Sequence, residues 1–170
     1  MQTTTLKLYT LDYAQRRTYL LATLFVAGNL VLPQLCHLAP LGGVRWLPIY
    51  FFTLVGACKY GWRLGLLTAI ASPLLNAALF GMPPVAALPA ILLKSVLLAL
   101  FAGLAAARWR KASLPLLLGV VLAYQAVGTL GEWILKGDLL AAAQDFRIGL
   151  PGMALQVIGG YLVINRLLRK

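Results

Sequence analysis

Two charged side chains stand inside long apolar runs of this 170-residue chain: Lys94 in VAALPAILLKSVLLALFAGLAAA and Glu132 in LPLLLGVVLAYQAVGTLGEWIL. An ammonium in such a place suits a carboxylate or phosphate, and a carboxylate suits a cation or an amide. Gln125, Thr129 and Glu132 are spaced i, i+4, i+7, which puts them on one helix face. Asn29, Asn76 and Gln156 complete the strongly polar set within apolar segments. Tyr124 and Trp133 flank the stripe, and Arg45 with Trp46 follow a Pro/Gly-rich stretch. These types favour binding a small polar compound with a ring. We take Lys94, Glu132, Gln125, Asn76, Asn29, Gln156, Thr129, Trp46, Trp133 and Arg45 as candidate substrate-binding residues. The competing role is hydrogen bonding between helices, which is the expected role for Asn29 or Asn76 taken singly.

Other chemistries have no motif to carry them. The sequence contains no GxxxxGK[ST], HExxH, GxSxG or GxGxxG. His37 is the single histidine, beside Cys36, and the second cysteine is Cys58. That set makes neither a disulfide framework nor a metal site. No catalysis, metal or cofactor is expected.

Composition names the medium. The hydrophobic fraction is 61% and the charged fraction 11%, against roughly 25% charged in soluble domains. An all-α integral membrane protein resolves the deficit, as a single membrane domain over 1–170. A helix needs about 20 apolar residues to cross about 30 Å of hydrocarbon. Six spans are expected, at about 18–36, 44–60, 64–80, 85–107, 114–135 and 149–165, with 1–15 interfacial or disordered. No cleavable leader is expected, since the first apolar run starts only after Arg16–Arg17.

Charge sets the orientation. The formal net charge is +11, from 15 Lys+Arg and 4 Asp+Glu. The basic residues cluster between apolar runs, with no groove for nucleic acid. The N-terminus, the 2–3 and 4–5 connections and the C-terminus hold Lys7, Arg16, Arg17, Lys59, Arg63, Arg108, Arg110, Lys111, Arg166, Arg169 and Lys170. The opposite side holds Arg45, Lys136 and Arg147. The positive-inside rule then makes both termini cytoplasmic. At 1.5 Å per residue, Lys94 and Gln125 lie ~15 Å below the outer surface, and the other four polar residues are shallower. All six occupy the outer half, beneath loops rich in Pro and Gly that could act as lids. Small residues Ala22, Thr23 and Ala27 in span one, and Gly159–Gly160 in span six, allow close approach of a helix.

Arg45–Pro84 (RWLPIYFFTLVGACKYGWRLGLLTAIASPLLNAALFGMPP) and Gly149–Val163 (GLPGMALQVIGGYLV) look like segments of substrate-binding S components of energy-coupling factor (ECF) transporters. The resemblance extends over nearly the whole chain in size, topology and polar placement. It implies a bundle in the bacterial inner (cytoplasmic) membrane that captures a water-soluble vitamin or precursor in an outward pocket. It also implies partners: a transmembrane subunit and two ATPase subunits, against which the S component topples to release substrate. The family's contact surface on span one carries alanines four apart. Here Thr23 pairs with Ala27, and Ala22 is followed by Val26. The alternative is a structural or assembly protein whose intramembrane polar residues only join helices.

Overall fold

The computed structural model describes residues 8–168. It is a bundle of helices with no strand among the described residues. The helices are α1 (Arg16–His37), α2 (Gly42–Trp46), α3 (Phe51–Tyr60), α4 (Trp62–Phe80), α5 (Leu88–Trp109), α6 (Leu114–Lys136), α7 (Leu139–Ala142), α8 (Gln144–Arg147) and α9 (Leu150–Leu162). Four are long and apolar enough to cross a membrane: α1, α4, α5 with its preceding turn from Val85, and α6. The architecture is compatible with a multi-pass membrane protein. Large apolar side chains stand on the outside, among them Leu20, Leu24, Val31, Leu104, Leu130 and Ile134. A soluble monomer rarely carries such a belt.

Two expected spans take other forms. The stretch 44–60 is not one helix: α2 ends at Leu47, whose φ of 47° is left-handed, and a 3-10 turn over Pro48–Tyr50 leads into α3. Pro48 supplies the cause, because the residue before proline is pushed out of the right-handed helical region. At the far end, α9 runs on as a π-helical turn, Val163–Leu167.

Tyr9 and Leu11 donate backbone hydrogen bonds to Lys59 and Tyr60. Arg63 pairs with Asp12 at 3.1 Å. The start of α1 and the start of α4 therefore share one end. Residues 8–15, read from sequence as interfacial or disordered, form a strap across that end. Buried Leu11 and the Tyr9–Tyr60 ring stack fasten it. The rest of that segment, 1–7, lies outside the described residues.

Glycines set the closest helix approaches. A Cβ on Gly103 would meet the Trp62 backbone, joining α5 to α4, and one on Gly65 would meet Ala57. Gly152 sits against the Trp46–Leu47 backbone, where α9 crosses the break after α2. Gly159–Gly160 do not make the expected backbone-to-backbone contact; they face the Phe51 ring and the Leu54 side chain. On α1, Thr23 and Ala27 face outward, whereas Ala22 is buried in the core. Ala22 lies about 100° around the helix from Thr23, so the expected three-residue surface is split between two faces.

Candidate functional site

Proline chemistry shapes the helices around the site. Pro33 has no N–H to give the carbonyl of Asn29 one turn earlier. The Asn76 amide fills that vacancy, donating from Nδ2 to the Asn29 oxygen at 2.8 Å. The Asn29 side chain donates to Thr53 and Ser72, both at 3.1 Å, and accepts from the Phe52 backbone N–H at 3.2 Å. Phe52 lies in the first turn of α3, whose N–H groups have no helical partner. Asn29 thus ties α1, α3 and α4 together and does not line a cavity. Named among the candidate substrate-binding residues but expected, taken singly, to join helices, it is fully engaged as a fastener.

Above this junction lies a cavity of about 780 Å³. It is lined by the end of α1, the 38–50 segment, Met82–Pro84, and Gln144 and Asp145 of α8. Lys94, Glu132, Lys136 and Asn76 contribute from the long helices. The volume falls within the roughly 300–1,000 Å³ of small-molecule sites. Asn76 commits its Nδ2 to the junction, and its Oδ1 has no protein partner.

One wall of the cavity is ionic. Lys94 Nζ lies 2.6 Å from Glu132 Oε2 and 2.8 Å from Asp145 Oδ2. Lys136 Nζ reaches the other Glu132 oxygen at 2.5 Å. The Lys94 and Glu132 side chains are only 3% and 9% exposed, so these are desolvated contacts. Gly128 makes this possible, since a Cβ there would overlap the Lys94 stem. The stripe expected on α6 exists: Gln125, Gly128, Thr129 and Glu132 share its buried face.

Below the ionic group the stripe continues as polar atoms with little to bond. Gln156 accepts from the Tyr124 hydroxyl at 2.9 Å, while its Nε2 has no partner. Gln125 sits near the same hydroxyl but makes no hydrogen bond of good geometry, and Thr129 Oγ1 has none. None of the three lines the cavity.

Sequence reasoning placed three further residues in the site, and the structure does not bring them there. Trp46, Trp133 and Arg45 are exposed on the outside of the bundle. Trp133 is one residue from Glu132 and so points about 100° away from it. Trp46 closes α2, with its backbone turned toward Gly152. Sequence reasoning also missed residues. Asp145 looked like an ordinary loop acid, although it is one of only four acids available to partner a buried lysine. Gln34 lines the cavity with an unpartnered Nε2. Tyr50 lines it too, 5.6 Å from the Tyr124 ring. His37 bounds it and donates from Nδ1 to the Pro33 oxygen at 2.6 Å, since a carbonyl can only accept.

No group of three or more His, Cys, Asp or Glu among the described residues could hold a metal ion. The arrangement can enclose a small molecule and offer it two ammonium groups, two carboxylates and amide groups. Compared with protein-family models, curated proteins and solved structures, the chain matches none of them.

Proposed function

We propose that this chain is the substrate-capture component of an ECF-type importer in a bacterial cytoplasmic membrane, binding a small water-soluble vitamin or precursor. In this reading the chain crosses six times with both termini in the cytoplasm. The break at Leu47–Pro48 is tolerable at membrane depth because irregular backbone there lines a wet cavity. The segment over 48–60 spans only about 20 Å by itself, and the cavity supplies the missing depth. The outward face of α1 around Thr23 and Ala27 is the docking surface for the transmembrane partner, and two ATPases drive release by toppling.

One observation carries the reading. A cavity lined by three loop segments at the weakly basic end of the bundle ends on a desolvated Lys94–Glu132 pair. Intramembrane charges of this kind mark substrate paths more often than plain fasteners. Native mass spectrometry of the chain purified without added ligand tests it, together with thermal melting against a vitamin panel. Capture predicts a retained or stabilising small molecule, and uptake that needs the ATPase module. The assembly reading draws on the pairing itself, because Lys94 and Glu132 satisfy each other across α5 and α6. It predicts no saturable ligand and effects of Lys94→Met or Glu132→Gln on stability alone.

A further inference from the structure

The ionic wall is balanced but not symmetric, and this bears on what the cavity accepts; the inference rests on the capture reading above. Two cations, Lys94 and Lys136, meet two anions, Glu132 and Asp145. Lys94 and Glu132 sit in long helices, and the lysine stem is wedged over Gly128. Asp145 sits on the four-residue α8, between α7, capped by Asp138, and Gly149. Its carboxylate makes one ion pair, the one to Lys94, and is 14% exposed. Of the two groups that share the buried ammonium, it alone can leave without moving a long helix.

We propose that Asp145 holds the place of a substrate carboxylate. The cavity takes a small organic acid with one negative group and a largely apolar body, and that group replaces Asp145 on Lys94.

Charge counting supports the exchange. A buried charge without a partner is costly, so the wall favours ligands that leave the count unchanged. One carboxylate in place of Asp145 does so, and the displaced aspartate moves to water with α8. A dianion leaves an excess negative charge. A cation would have to expel Lys136, which pairs only with Oε1 of Glu132, and the exchange would leave Lys94 and Asp145 paired. The remaining lining, including Pro33, Leu41, Leu47, Ile49 and Ile91, suits an apolar body, and the Tyr50 ring suits a flat one.

The test uses the full chain in nanodiscs and matched probes: indole-3-acetate, indole-3-acetamide and tryptamine, then nicotinate and nicotinamide. Melting temperature reports binding, and hydrogen exchange reports the 138–149 segment. The expected result is that an acid raises the melting temperature while its amide and amine do not. The same acid speeds exchange over 139–147, and Asp145→Asn binds it about tenfold more tightly. If Asp145→Asn does not fold, exchange in the wild-type chain decides. The proposal is overturned if an amide or amine matches its acid, if Asp145→Asn weakens the acid, if the segment is protected, or if no acid shifts either protein. A molecule retained on purification but lacking a carboxylate rejects this inference and leaves capture standing. Absence of any retained or stabilising molecule removes both.

Discussion

At the scale of single residues, two kinds of buried polar group must be told apart, and mutation separates them. Asn29 is saturated by four hydrogen bonds within the bundle. Only its side chain can be removed, which leaves the Phe52 N–H, Thr53 and Ser72 without it. Asn29→Ala should therefore cost about 2 kcal/mol, taking roughly 0.6–1 kcal/mol per lost bond. Ligand selectivity should not change, and thermal melting with and without ligand checks both halves. Lys94→Met leaves Asp145 with no ionic partner beside an apolar stem, and Glu132 with Lys136 alone. Breaking a buried pair in this way costs about 3–5 kcal/mol, whereas removing both partners is far milder. Lys94→Met with Glu132→Gln and Asp145→Asn should thus melt above Lys94→Met alone, with no ligand response in either protein. An equal or lower melting temperature for the triple variant would show that the charges do not form one unit. Lys94 and Glu132 could be read from sequence because a charge in an apolar run is conspicuous. Asp145 could not, because an acid in a polar loop is ordinary and only the path of 137–149 carries it back over α5. Gln125 stood in a legible stripe and Asn29 stood alone, yet neither spacing nor depth reveals which side chain finds partners.

Elements meet where glycine lets them, and this was only partly legible. The helical phase of α6 was readable from its polar stripe, because the 3.6-residue period alone decides which residues share a face. The close contacts were not, because sixteen glycines are spread along the chain and composition does not say which face a neighbouring backbone. Gly159–Gly160 were the conspicuous pair, yet Gly103 against Trp62 is the tight crossing. Gly103→Val must push α5 off α4 and should destabilise by about 1–3 kcal/mol, the usual cost of overpacking. Gly119→Ala, where a Cβ meets nothing within 4 Å, is the control and should be neutral or stabilising by up to about 1 kcal/mol. Equal melting losses for the two would refute the claim that the α4–α5 approach depends on Gly103. The broken second span had a readable signal in Pro48. Its consequence, a cavity in place of a continuous helix, depended on how 38–50 folds back over the ends of α1 and α4.

For the whole molecule, the decisive question is whether the short stretch 48–60 crosses the membrane. Counting only the four long helices, α3 would stay on the side where α1 ends, and every later loop would exchange sides. The proposed reading has 48–60 cross, and the contacts at its two ends support it. Lys59 and Tyr60 accept hydrogen bonds from the strap at the start of α1, and Asp12 holds Arg63. Meanwhile 38–50 and 82–84 line one cavity at the opposite end. Described basic residues Arg16, Arg17, Lys59, Arg63, Arg108, Arg110, Lys111 and Arg166 fall on the strap side of the sequence pattern, and Arg45, Lys136 and Arg147 on the cavity side. This distribution is what orients a chain during insertion. With Cys36 and Cys58 replaced by alanine, single cysteines at positions 39, 82 and 140 should react with a membrane-impermeant maleimide on intact cells. Those at 13, 61 and 111 should react only after permeabilisation. The informative position is 61, because α3 joins α4 there with one residue between them. Labelling at 61 from outside would mean that 48–60 turns back without crossing. The cavity loops could then no longer share one face of the membrane, and the outward pocket on which capture depends would be lost.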